Sequence, residues 1–119
     1  MGLDFNKGGA HWSYSGFYRF RVRVAETIGI DLDKMSGFAS LTDNSGIGWD
    51  WVTDPVVPLL NHSDCDGGLT PDQCRSIAPR LKEIIANWNA PDDYDKAQAE
   101  LLIEGMEYCA QTNVPLEFI

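Results

Sequence analysis

TPDQCRSIAPRLKEIIANW, residues 70–88, is the stretch on which the fold turns. Thr70 is a side chain that caps a helix, Pro71 suits the first helical position, and Gln73 completes a capping box. Beyond it Cys74, Ile77, Ala78, Leu81, Ile84, Ile85 and Trp88 recur at spacings of three and four, one stripe of an amphipathic helix. Pro79 lies inside that stripe without an N–H, so a kink is expected there, or a break followed by a second segment.

Working outward, Asn89-Ala90-Pro91 ends this helix and Asp92-Asp93 open the next, acidic residues suiting its N-terminal dipole. The last helix is expected from about Tyr94 to Thr112, with Ala97, Leu101, Met106, Cys109 and Ala110 inward and Asn113 and Pro115 as stops. Upstream, Thr53-Asp54-Pro55 begins a short helix over roughly VVPLL. Ser13 or Ser15 caps a helix running to about Ile28, with Phe17, Phe20, Val24 and Ile28 on one face and Gly29 as its stop. Asp31 to Trp51 reads as loop. GLDF near the start is an edge strand, Gly8-Gly9 a turn, and LEFI at the end a short strand that pairs with GLDF. The expected fold is therefore mainly α, or α+β with a minor sheet. It is a compact bundle of three to four helices plus a two- or three-stranded element formed by the termini, one domain over 1–119.

Composition supports a packed domain. Of 119 residues, 44% are hydrophobic and 23% charged, values that disfavour global disorder. No apolar run approaches the ~18 residues of a membrane span, and no basic, apolar, cleavable leader follows Met1, so a cytoplasmic protein is expected. Cys65, Cys74 and Cys109 are an odd set, read as reduced thiols; two of them sit on apolar helix faces, where packing is their role. The net charge of −9 is uneven: residues 1–34 carry five basic and four acidic side chains, the other 85 carry four basic and fourteen acidic. That balance excludes duplex nucleic acid as a natural partner and favours a basic protein surface.

Two clusters carry chemistry. In NHSDCDGGLTPDQC, residues 61–74, a calcium-loop reading puts His62, Asp64 and Asp66 in the first three ligand positions and Gly67 at the sharp turn. Imidazole suits a hard cation poorly, and the twelfth position is Gln73 instead of Glu. The same residues make an acidic turn leading into a capped helix. For zinc, His62, Cys65 and Cys74 are the nearby soft ligands, without a C-x-x-C pair to support them. In GGAHWSYSGFYRFRVR, residues 8–23, His11, Trp12, Tyr14, Tyr18, Arg19 and Arg23 gather aromatic faces and guanidinium groups at one helix start. Arg19 and Arg23 share a face and Arg21 points elsewhere. With Gly8-Gly9 allowing close approach to free backbone N–H groups, this cluster suits an anionic, stackable ligand. Equally, the aromatics are core and the arginines pair with the acidic remainder. Acid–base pairs such as His62 with Asp64, or His11 with Ser13, are drawable, but no phosphate loop, G-x-S-x-G, HExxH or dinucleotide fingerprint is present, so catalysis is disfavoured and no cofactor is named by any motif.

WSYSGFYRFR, PLLNHSDCDGGLTPDQCRSIAPRL and the terminal PLEF together resemble a group of small bacterial and bacteriophage proteins without an assigned activity. The resemblance implies a stand-alone protein of phage or mobile-element origin, acting in the host cytoplasm, that blocks a host protein or sequesters a signalling nucleotide. The expectation is thus a non-catalytic binding protein for a nucleotide-like anionic ligand or a host protein, using His11, Trp12, Tyr14, Tyr18, Arg19, Arg23, His62, Asp64 and Asp66, with homo-oligomerisation left open. The alternatives are a calcium or zinc domain centred on His62, Asp64 and Asp66, and a small metal-dependent hydrolase.

Overall fold

The computed structural model describes residues 2–35, 52–61, 67–89 and 92–119. It is mainly helical with a minor sheet component. The order is β1 (Gly2–Asp4), β2 (His11–Ser13), α1 (Tyr14–Thr27), a 3-10 turn at Leu32–Lys34, α2 (Val57–Leu60), β3 (Gly68–Leu69), α3 (Pro71–Ile85), α4 (Tyr94–Thr112) and β4 (Leu116–Glu117).

Each long helix is bounded by the chemistry its sequence announces. Ser13 Oγ accepts from Gly16 N at the start of α1. At its end the Gly29 N–H reaches Glu26 O and the Ile30 N–H reaches Ala25 O, a Schellman pair that needs Gly29 at φ +82°. Thr70 and Gln73 complete a reciprocal capping box on α3. Asp93 caps α4, and Asn113 in the left-handed region closes it.

α3 runs unbroken through Pro79, so the expected break does not occur; the ring lies on an exposed position while six apolar neighbours on the other face stay buried. α2 begins at Val57, later than Thr53-Asp54-Pro55 suggests, because Asp54 caps the preceding turn through Val56 N at 3.0 Å. In α4 the buried face is Ala99, Leu102, Ile103, Gly105, Met106 and Cys109; Ala97 is exposed and Leu101 only partly buried. Three consecutive apolar residues, Leu101-Leu102-Ile103, leave the phase of that stripe open to misreading.

β1 pairs antiparallel with β2, Leu3 opposite Trp12, and β3 with β4, Leu69 opposite Leu116. The termini do meet, but through one bridge between Phe5 and Phe118 and the Ile119 N to Asp4 O bond of 2.8 Å, not through the full GLDF–LEFI ladder. The expected loop from Asp31 holds the 3-10 turn, with Leu32 and Met35 buried; positions 36–51 lie outside the described residues. A single cluster of buried side chains joins all these elements, with Phe5, Trp12, Phe17, Phe20, Trp88 and Phe118 in edge and stacked ring contacts.

The hairpin connection packs on α4 by close backbone approach. A Cβ at Gly105 would stand 2.6 Å from Lys7 O, and one at Gly8 2.5 Å from Leu101 O. Helix propensity alone favours Ala over Gly by about 1 kcal/mol, but a backbone atom cannot swing aside. Gly105→Ala is therefore expected to lower stability by about 1–3 kcal/mol; a denaturation curve showing equal or greater stability would contradict this packing.

Candidate functional site

The N-terminal aromatic and arginine cluster is the first site to locate. Trp12, on the inward side of β2, is 1% exposed, stacks on Phe20 at 4.6 Å and donates from Nε1 to Asp95 at 3.1 Å. A ring so enclosed offers no face to a ligand, which corrects the stacking role expected of it. Tyr14 and Tyr18 are partly buried against the core. Arg21 is buried, donates to Leu60 O at 3.3 Å and lies 4.8 Å from the Phe17 ring centre.

Arg23 sits between ring and carboxylate. Its guanidinium lies 3.8 Å from the Trp88 ring centre and donates from both Nη atoms to Asp93, at 2.9 and 2.7 Å, with Asp95 at 3.7 Å. The two hydrogen bonds hold the Asp93 carboxyl below its usual range against the opposing effect of its burial, and raise the Arg23 pKa correspondingly. Arg19, four residues earlier, is exposed and joins none of this.

His11 pairs with Asp4, Nδ1 to Oδ1 at 2.8 Å, not with Ser13, whose hydroxyl caps α1. Its N–H donates to Gln98 Oε1 at 2.8 Å and its carbonyl accepts from Tyr94 Oη at 2.7 Å. The residue thus ties β2 to α4. Of the Gly8-Gly9 pair, Gly8 packs on Gly105 of α4 while Gly9 has open space beside it.

His62, Asp64 and Asp66 lie outside the described residues, as does Cys65. Two neighbours bear on the metal readings. The Gln73 side-chain oxygen that a calcium loop requires accepts from Thr70 N. Cys74 is fully buried on α3, and burial, reinforced by nearby Cys109, pushes its thiol up to about 11, away from the thiolate that binds zinc. Among the described residues no three His, Cys, Asp or Glu side chains gather as a metal set.

Charge accounting exposes a second surface. Arg23, Lys34, Arg75, Arg80 and Lys82 pair with carboxylates, Lys96 donates to Trp88 O, and Lys7 lies over the Tyr108 ring. Only Arg19 among the basic side chains has no partner among the described residues. Conversely Glu26, Asp33, Glu83, Asp92, Glu100, Glu104 and Glu117 are exposed and in no ion pair among the described residues. Glu83, Asp92, Glu100 and Glu104 belong to α3, α4 and the turn between them.

Between α3 and α4 runs a groove of about 740 Å³, with Pro79, Ala86 and Ala110 as its apolar walls over the buried Cys74 and Ala78. Small side chains where a helix pair usually interdigitates large ones leave this space open. Ala78 and Ala110 were legible as inward positions, but a sequence stripe does not say that the neighbouring side chains fail to fill the gap. No helix among the described residues is long and apolar enough to cross a membrane.

No protein-family model, curated protein or solved structure matches the chain. The resemblance to small phage and bacterial proteins therefore finds no support in these comparisons, and a functional reading rests on geometry.

Asp93 has a folded pKa below its unfolded value of roughly 3.9, so its contribution is full above that value and disappears as pH falls through the depressed one. Asp93→Asn is expected to cost on the order of 2 kcal/mol at pH 7, with wild type and variant converging in acid below about pH 4; a gap constant from pH 7 to pH 2 would refute the contribution. Cys74 and Cys109, both buried with raised pKa values, are expected to escape iodoacetamide at pH 8 in the folded protein. Peptide mass spectrometry finding either alkylated as fast as in denatured protein would contradict their enclosure.

Proposed function

We propose that the protein acts by binding rather than by catalysis, and that its target is a cationic surface on a partner protein. The supporting observation is the asymmetry of its charges: the basic side chains, Arg19 excepted, each have a partner within the protein, while seven carboxylates face solvent without ion pairs among the described residues. Carboxylates so placed produce a negative field that steers a basic partner and repels duplex nucleic acid and anionic lipid. Blocking a host protein, the role implied by the phage-type resemblance, is one use of such a surface.

The nucleotide-like ligand reading keeps less support. Trp12 is enclosed and Arg23 is clasped by Asp93, which leaves the exposed Arg19 as the remaining cation of that cluster, with Tyr14 and Tyr18 partly buried against the core.

Quantitative affinity capture from cell extract tests the proposal. At low salt the wild type is expected to retain a basic partner, and raising salt from 50 to 300 mM or introducing Glu83→Lys/Glu100→Lys/Glu104→Lys should abolish retention. Glu26→Lys/Asp33→Lys should retain most of it. A partner indifferent both to salt and to the triple reversal would refute the reading. Calorimetric binding of a mono-, di- or cyclic nucleotide that is lost in Arg19→Ala would establish the anionic-ligand alternative in its place.

A further inference from the structure

The α3–α4 seam offers more than negative charge. Past the Lys82–Glu107 pair lies a second, smaller depression of about 200 Å³, walled by Lys82, Glu100, Glu104 and Glu107 over the buried Ile85 and Ile103. Lys82 and Glu107 line both hollows and meet across the seam at 3.4 Å, with side chains 62% and 54% exposed. An exposed pair of this kind contributes little and is readily exchanged for other partners. An apolar groove and a carboxylate-walled depression therefore adjoin at one exposed ion pair.

The rim is acidic. Asp72, Glu83, Glu100, Glu104 and Glu107 stand along the two helices against Arg75 and Lys82, and each of these cations is already held by a carboxylate. Arg75 is further fixed across the seam by its 3.0 Å bond to Ala110 O, the carbonyl that the closing turn of α4 leaves over. Pro79, lacking an N–H, leaves the Arg75 carbonyl without its usual helical donor at the same place. The seam thus combines an apolar groove, a carboxylate border and a backbone acceptor.

We propose that this seam is the docking site for a basic amphipathic helix of the partner, its apolar side chains entering the larger groove and its lysines or arginines meeting the carboxylates of the rim and of the smaller depression. This rests on the reading of a cationic partner given above and names the part of the partner that is recognised. A second copy of this chain would bring the same carboxylates into opposition, and an anionic amphiphile would meet the same repulsion. A groove between two helices also suits a helical occupant, whose apolar stripe at i, i+3, i+4 and i+7 can lie along it, a recurrent mode of peptide capture.

The test uses a twenty-residue leucine–lysine peptide with its leucines on one helical face, and a second of the same composition with the leucines scattered. Titrated into the full chain at 150 mM salt, the first is expected to bind at least tenfold more tightly than the second. It should move the backbone amide resonances of α3 and α4 while leaving those of α1 in place. Ala86→Trp, a neutral change at an exposed position of the groove wall, should weaken binding about tenfold without altering the circular dichroism. Equal affinity for the two peptides would overturn the seam as a helix site and leave the cationic-partner reading standing. Amide shifts confined to other elements, or no binding by either peptide, would also overturn it. The resonance map decides the matter even where Ala86→Trp fails to fold. Loss of the cationic-partner reading itself would appear separately, as indifference to the Glu83, Glu100 and Glu104 reversals.

Discussion

The clasp on Arg23 is the constraint around which the molecule is arranged. One guanidinium, projecting from α1, lies against the Trp88 ring that follows α3 and is gripped by the Asp93 carboxylate that caps α4. Three helices are thereby fixed at one point. The environment suits arginine in particular, because a planar fork satisfies two carboxylate oxygens while its flat face stacks on indole, and an ammonium does only one of these well. Asp93 performs two tasks with the same carboxylate, since Oδ1 also accepts from Lys96 N at 3.2 Å. Lys96 in turn closes the arrangement by donating to Trp88 O at 2.8 Å. Cap, ring and ion pair are interlocked, so removing any one weakens the geometry of the other two.

The same economy of cations recurs elsewhere and sets the outward charge. Arg80 holds Asp54, joining the turn before α2 to α3, with bonds of 2.9 and 3.1 Å. Arg75 holds Asp72 and reaches α4. Arg21 is buried in the core against Phe17. Cations placed between elements cannot also face a ligand. Because acidic side chains outnumber basic ones eighteen to nine, the surplus necessarily appears at the surface as carboxylates. The acidity of the exterior is in this sense a consequence of how the interior is joined.

What was legible in the sequence was local. Thr70 with Gln73, Ser13, Gly29 and Asn113 each act through backbone groups within a few residues, so the starts and stops of the long helices could be read directly. The α3 stripe was legible because a single periodic row leaves only one phase. α4 was not, because Leu101-Leu102-Ile103 is apolar over most of a turn and only packing against α3 selects the buried side. The candidate site was less legible still. A Trp beside arginines has the same composition whether it lines a pocket or fills a core; the difference lies in Asp93 and Asp95, some seventy to eighty residues away, which engage Arg23 and Trp12. Long-range pairing of that kind leaves no periodic mark. The groove escaped for a related reason: open space between helices depends on both facing rows at once.

The carboxylate row on α4 has an energetic consequence for any partner. Glu100 and Glu104 are four residues apart and Glu104 and Glu107 three, spacings at which like charges destabilise a helix by about 0.2–0.5 kcal/mol per pair. Only Glu107 has a cation across from it, and that contact is exposed. The helix holds because Leu102, Ile103, Met106 and Cys109 are buried on its other side; its outer face works against it. A cationic helix laid along the seam would reverse the sign of that outer term, so part of the attraction would come from relief of repulsion already present in the free protein. Such a contribution weakens with added salt, because screening diminishes the repulsion and the attraction together. Apolar side chains entering the groove would supply the part that salt leaves in place. Specificity would then lie in the spacing of the apolar anchors, and speed of association in the charge.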